Sequence, residues 1–479
     1  MTRRPSRRVF LAAVGAASVG LAGCSDDDGN GADDDPETGD DDPETDDGNG
    51  EDGDDNGEET PDEPEDVTVP AIDHGTLVSD FSEDLDSWIG MTGDDFIEGD
   101  TDEALVGETA ALVRGGGDRA GVFRSFQDFD AGGQHVSFAV NLQEPMGGRV
   151  NVEMLAPFQS DSVVTRRRIP SDLDGWMRMD VGYTQDRGEP DFGDIQEMRI
   201  WVDAAAEEEI DDDEEVADDL DEDEIEEEIE DEDDDGEDDN GDDDAEEEID
   251  ETVRFLVDDL RSTPAAETGQ VILTFDGGFE SHYTTLFDIM EERDLQGVIG
   301  IVPPTVNAGG RLTIDQMREM RDAGWDMASF PLRNDALPEM ESGERQQVIE
   351  GDQSYLEGRG FEDGARTFFA PYHRMDAESL EIVREVHDCS MTFGGTPNAA
   401  PPADPHMLSR VNAHEMGPVE QFTELAERHN QLLVLRLTEV GEDGDVDEEY
   451  FEDLLDYLEE SDLEVVTATE MLDRREELF

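Results

Sequence analysis

Asp276, Glu280 and His282 stand within seven positions of one another, and His373 directly follows Tyr372 further along the chain. Carboxylates and imidazoles of this kind can share a proton or hold a divalent cation if the fold brings them together. His414 is a further candidate. The plainer reading makes them ordinary loop side chains in a chain with abundant carboxylates. The chain has 8 histidines and 2 cysteines, Cys24 and Cys389. With Cys24 spent on a lipid anchor, the single remaining cysteine excludes a cysteine-built zinc site. If Cys24 is consumed in an anchor, Cys389 has no partner for an intrachain disulfide.

The elements that must position these residues follow from hydrophobic period. Val271–Phe275 is an apolar, β-branched run, and Tyr283, Leu286, Phe287 and Met290 then recur at offsets of 0, 3, 4 and 7, one face of a helix. Strand-like runs at 298–302, 325–330, 367–370, 390–393, 407–411, 432–437 and 464–467 alternate with helical stretches at 313–323, 344–358, 376–387, 418–430 and 447–460. Seven or eight such units predict a parallel (β/α) barrel over 268–479, with its site at the C-terminal strand ends. Asp276 and His373 both fall there.

Residues 68–203 carry another pattern. Short alternating runs at 110–114, 120–126, 135–142, 149–155, 176–183 and 197–202 are broken by Gly, Asp and Pro, which predicts an all-β sandwich or barrel. The stretch from Asp80-Phe81 to Trp88, followed by a Gly-rich segment, resembles a jelly-roll of the carbohydrate-binding type. Val253–Arg261 alternates like one more strand. The acidic stretch 204–251 is therefore expected to be a disordered insertion in a loop of a sandwich spanning 68–262.

Charge sets the context. The chain carries 134 acidic residues against 31 basic ones, a formal charge of −103, and every basic residue is arginine. Residues 25–66 hold 23 acids in 42 positions and 207–251 hold 34 in 45, neither with a base. Removing both leaves 77 acids against 31 bases, or −46. An acid excess that persists outside the tracts, without lysine, suits very high salt, where the Debye length falls to about 3 Å and self-repulsion is screened. Overall charge of this sign argues against nucleic-acid binding by counter-charge and against electrostatic attachment to an anionic membrane. Residues 25–67 have almost nothing apolar to bury and are expected to be a disordered, extended stalk.

The N-terminus reads as an address. Ser6-Arg7-Arg8-Val9-Phe10-Leu11, followed by a short apolar run, resembles a twin-arginine export signal, and Leu21-Ala22-Gly23-Cys24 resembles a lipobox. Together these imply cleavage before Cys24, lipid on its thiol, and anchorage on the outer face of the cell membrane. With the acidic composition, the chain resembles a haloarchaeal exported lipoprotein.

Within the second region a family resemblance emerges. Leu273-Thr274-Phe275-Asp276-Gly277-Gly278 resembles the opening motif of polysaccharide deacetylases of the NodB-like carbohydrate de-N-acetylase type. Gly324-Trp325-Asp326-Met327-Ala328-Ser329, Phe368-Phe369-Ala370-Pro371-Tyr372, Leu432–Leu435 and Leu463–Thr467 resemble its later segments in the same order. The resemblance implies a distorted (β/α) barrel that removes N-acetyl groups from glycans. The implied chemistry is an Asp base, a divalent metal such as zinc on an Asp and two His, and a late His as general acid. On this sequence the base matches Asp276, but the metal Asp falls on Gly277 and the metal histidines on Phe330 and Asn334. The Arg that orients the base falls on Phe369, and the late His on Arg436. Such replacements leave no metal triad, so no cofactor is expected.

Three functions remain open at this point. One is a glycan-binding lipoprotein without metal-dependent hydrolysis, with Tyr372, His373 and His282 at the sugar. The resemblance implies that the backbone amide at Tyr372 meets the acetyl oxygen. Trp325, Phe330, Phe369 and His373 would add aromatic weight around the former metal site, suited to a pyranose ring. The second is an active deacetylase with a rebuilt site around Asp276, His282 and His373. The third is a structural cell-envelope protein.

Overall fold

The computed structural model describes residues 71–204, 251–331, 336–441, 444 and 446–479. The export signal, Cys24, the stalk, most of the acidic insertion and Asn334 therefore lie outside the described residues.

The first region is built of antiparallel strands: β1 (Thr76–Ser79), β2 (Ile89–Gly90), β3 (Phe96–Asp100), β4 (Ala110–Gly116), β5 (Arg119–Phe129), β6 (Gln134–Glu144), β7 (Gly148–Leu155), β8 (Ser162–Ile169), β9 (Met177–Asp180), β10 (Gln185–Arg187), β11 (Ile195–Asp203) and β12 (Glu251–Pro264). They form two sheets, β3-β4-β12-β6-β9 with β1 on β12, and β10-β8-β7-β11-β5-β2. Alternation decides which side chains face inward. Val150, Val152 and Met154 of β7 and Met198, Ile200 and Val202 of β11 meet Val136, Phe138, Val140 and Phe255 from the other sheet in one apolar core. The intervening Arg149, Asn151 and Glu153 lie on the opposite side of β7. The strand expected at 253–261 is part of β12, between β4 and β6. The acidic stretch thus joins the end of β11 to the start of β12, in opposite sheets. β8 was not foreseen in the sequence.

The second region is a closed ring of seven parallel strands: β13 (Gln270–Asp276), β14 (Val298–Ile301), β15 (Asp326–Ser329), β16 (Thr367–Phe369), β17 (Cys389–Phe393), β18 (Leu408–Asn412) and β19 (Leu432–Leu437). β13 pairs with both β14 and β19 and so closes the ring, while β20 (Glu464–Val465) adds to β13 outside it. Helices at Ile314–Asp322, Ser342–Glu357, Ala377–Val386, Met416–His429 and Glu448–Glu460 connect the strands. The expected helix after β13 starts as a π-helical turn, His282–Phe287, and continues as α-helix to Glu291. Leu273, Phe275, Leu433 and Leu435 face the helix layer. Ile272, Val298, Ala328, Leu408 and Val434 fill the ring. The same parity sends Asp276, Arg410 and Arg436 inward at the top of their strands.

The described residues belong to one unit, in which the two regions share a core. A single apolar cluster runs from Met177, Met179 and Val181 of the sandwich to Phe368, Met375, Leu380 and Met407 of the barrel. Polar contacts reinforce it. The buried amide of Gln431 accepts from Tyr183 N at 3.3 Å, Arg167 donates to the Met407 carbonyl at 2.5 Å, and Arg374 forks onto Asp172 at 2.6 and 2.9 Å. At Gly182 the backbones come so close that a Cβ would lie 1.8 Å from the Pro397 carbonyl oxygen. Among the described residues no helix is long and apolar enough to cross a membrane.

Candidate functional site

Asp276 ends β13 and points into the barrel mouth, where it is 1% exposed. Arg410 of β18, fully buried, donates to Oδ1 at 2.7 Å and to Oδ2 at 3.3 Å. Arg436 of β19 donates to Oδ2 at 2.9 Å and also reaches Asn412 Oδ1 at 3.1 Å. Burial alone would raise the carboxyl's pKa, but the guanidiniums of Arg410 and Arg436 outweigh it and hold Asp276 well below the usual carboxylate range. A carboxylate so stabilised is a weak proton acceptor at neutral pH.

Arg410 also donates to His373 Nδ1 at 3.2 Å, and its guanidinium lies 4.6 Å from the centroid of Phe369. The structure therefore joins Asp276 and His373 through one guanidinium. Tyr372 and His373 both have left-handed backbone conformations, with φ of 53° and 56°. Two consecutive non-glycine residues of this kind store strain, which the packing around β16 must offset. Both side chains are partly open to solvent.

The other expected residues divide. His282 is not at an open surface: it is buried, its Nε2 lies 2.6 Å from the Thr438 carbonyl, and its ring packs near Phe275 and Phe279. Trp325 does not line the mouth as expected. It packs against Phe275 and Phe287 in the helix layer, because its position before β15 turns it outward. Phe330 and Phe369 do meet, edge to face at 6.1 Å, both buried and against Gly300. Glu280 and His414 are exposed.

Arg410 was not foreseen. It makes the guanidinium contact to the base position that the resemblance assigns to the place of Phe369. A lone arginine at an inward-facing position of an apolar strand, Leu408-Ser409-Arg410-Val411, was the signal available.

The positions that would hold a divalent metal do not fit one. Gly277 has φ of 108°, and a Cβ there would lie 2.6 Å from the Phe279 ring and 3.2 Å from Arg311 Nη1. Phe330 offers no donor atom, and the cations beside Asp276 are the guanidiniums of Arg410 and Arg436. Among the described residues, no group of three or more His, Cys, Asp or Glu is placed to hold a metal ion.

Residues 264–387 match the polysaccharide deacetylase family, so the chain carries a polysaccharide deacetylase-like domain. No curated protein matches the chain. Among solved structures, it is similar to the Xyl-CE4 domain of a multidomain xylanase from the hindgut metagenome of Trinervitermes trinervoides (14% identity over 44% of this chain and 92% of that one, TM-score 0.31). It is also similar to the chitin deacetylase of Colletotrichum lindemuthianum (16% identity, 43% and 88% covered, TM-score 0.31). A third is the family 4 carbohydrate esterase of Streptomyces lividans (12% identity, 43% and 89% covered, TM-score 0.26).

Proposed function

We propose that this chain is a surface-anchored lipoprotein whose barrel binds an N-acetylated glycan without metal-dependent hydrolysis. The observation that carries this is the double clamp on Asp276. Two guanidiniums hold the carboxylate that the family uses as a base, with glycine and phenylalanine at two of the metal-ligand positions. The strained turn at Tyr372 and His373 presents a half-open aromatic and an imidazole at the rim, suited to stacking on a sugar and to hydrogen bonding its hydroxyls. The anchor rests on Cys24 and the export signal. We read the first region as a jelly-roll, supported by the order β4-β12-β6-β9 in one sheet and β5-β11-β7-β8 in the other.

The test is paired. Chitin oligomers should raise the unfolding midpoint of the full chain, and Tyr372→Ala should abolish the rise. Acetate release should stay at background with zinc, cobalt or manganese added. Metal-dependent release that is lost in Asp276→Ala would replace this reading by a rebuilt deacetylase. No thermal shift with any N-acetylated sugar would leave a structural role in the cell envelope.

A further inference from the structure

The outward face of the second sheet gathers positive charge that the overall composition hides. Arg149 of β7 and Arg168 of β8 lie directly opposite each other, and Arg166 lies opposite Asn151, two positions along on the same face. Like charges placed opposite across a sheet destabilise it. Arg199 and Arg187 share Glu153 at 2.8 and 2.9 Å, and Arg119 pairs with Asp203 at 2.5 Å. Arg149, Arg166 and Arg168 have no carboxylate partner among the described residues. With 134 acids in the chain, shortage of carboxylates does not explain these three. Burial, and then the neighbouring Arg149 and Arg187, pushes the Arg166 guanidinium below its ordinary value.

An aromatic side chain sits among these arginines. Trp201 of β11 lies opposite Asn151 on one side and Gly121 of β5 on the other. A Cβ at Gly121 would come within 2.4 Å of Trp201 Cβ, so glycine makes room for the indole. The Trp201 Nε1 is buried and has no hydrogen-bond partner among the described residues, a donor in the middle of the charged face.

We propose that this face binds a polyuronate, an anionic polysaccharide carrying carboxylates on its rings, at a site independent of the barrel mouth. Guanidinium forks match carboxylates in geometry as well as charge, and an indole suits the apolar face of a pyranose. The row from Arg168 through Arg149 and Asp203 to Arg119 crosses four strands, about 14 Å at the usual strand spacing, so it spans more than one sugar ring. The three cations without a carboxylate partner among the described residues lie on the adjacent strands β7 and β8, Arg149 about 5 Å from Arg168 across the strands and Arg166 about 7 Å along β8. That spacing fits a polymer with about one charge per ring better than a nucleic acid, whose duplex carries a charge every ~1.7 Å.

The experiment measures retention of the full chain on immobilised alginate, with neutral dextran and a single-stranded polynucleotide of equal total charge as comparators. Alginate should retain the chain and dextran should not. The triple variant Arg149→Ser, Arg166→Ser, Arg168→Ser should weaken retention at least tenfold, and Trp201→Ala at least fivefold. The triple variant's unfolding midpoint should be unchanged or higher, because repulsion is relieved. Excess chitin oligomer should not compete, which separates this site from the barrel mouth. Any of four results would overturn the proposal: no retention, retention equal in the triple variant, polynucleotide held as tightly as alginate, or displacement by chitin oligomer. Retention that arises only after deletion of 205–250 would also overturn it, by making the chain's own acidic segment the occupant.

Discussion

Arg410 and Asp276 form an ion pair with Nη1 2.7 Å from Oδ1, both side chains essentially inaccessible to solvent. The pair spans the barrel from β18 to β13, and Arg436 completes it from β19. Taking such charges out of water is costly, and their mutual contacts offset that cost only while all partners remain. Arg410→Met should therefore destabilise the protein by about 3 kcal/mol or more, as for other broken buried pairs. Asp276→Asn should also destabilise it, and the double variant should lose clearly less than the sum. Urea denaturation checks this. Additive losses would mean that the two residues are energetically separate.

Restoring a metal ligand should fail for a backbone reason. Gly277 occupies left-handed space, with the Phe279 ring and Arg311 against the place where a Cβ would project. Gly277→Asp should cost about 1–3 kcal/mol, the usual range for forcing a side chain into such a conformation. The variant Gly277→Asp, Phe330→His should give no zinc-dependent thermal stabilisation. Tight zinc binding by that variant would show that the mouth can rearrange around a cation.

Much of this architecture was legible because hydrophobic period survives even in so acidic a chain. The apolar run Val271–Phe275 followed by Tyr283, Leu286, Phe287 and Met290 at helical spacing marks the first strand–helix unit. A strand apolar on both faces does not tell barrel interior from helix layer, which the structure divides between Ile272 and the pair Leu273 and Phe275. β8 escaped notice because Arg166, Arg167 and Arg168 interrupt its apolar residues. Arg167 looks out of place in a strand until its reach to the Met407 carbonyl is seen. The arginine face was hidden for a different reason: its members come from five strands between positions 119 and 199, and only register brings them together. Arg410 was missed because the family resemblance directed attention to Phe369, whereas the compensating arginine arrives from another strand.

Acid should weaken the fold through two buried histidines. Burial lowers His135 to about 4 and, with His406 nearby, lowers His387 to about 3. Folded, both stay neutral; unfolded, both take a proton near pH 6.5. Their contribution is thus fully present above pH 6.5 and is lost progressively as pH falls toward 4. Asp180, raised to about 6 mainly by burial, acts in the opposite sense. Neither ring nitrogen of His387 has a hydrogen-bond partner among the described residues, and its ring lies 5.1 Å from Phe368, so an apolar replacement is tolerable there. The stability of His387→Leu relative to the unsubstituted protein should rise by on the order of 1 kcal/mol per pH unit between 6.5 and 4. Parallel stability curves would rule out that titration.

The sandwich and barrel should unfold together, because neither completes its own core. Met177, Met179 and Val181 bury themselves partly against Phe368, Met375, Leu380 and Met407, and removing either region would expose that surface to water. The polar contacts at the seam are also buried. Asp180 accepts from Ala399 N and Ala403 N at 3.3 Å each, and His135 Nε2 lies 3.0 Å from the Asn430 carbonyl. Exposing them trades ordered partners for water, while breaking one and keeping it buried costs about 1–3 kcal/mol. The sharpest probe is Gly182. Its hypothetical Cβ at 1.8 Å from the Pro397 oxygen cannot be accommodated by a side-chain adjustment, since the backbone fixes the Cβ and the oxygen is itself backbone. Gly182→Ala must move β9 and its following loop away from 397–403, loosening the whole seam. Calorimetry should show one transition for the unsubstituted chain. Gly182→Ala should lower its midpoint or split it in two, while Gly117→Ala, whose Cβ would meet nothing within 4 Å, perturbs only its own turn. Two independent transitions in the unsubstituted chain would mean that the shared apolar cluster does not couple the regions.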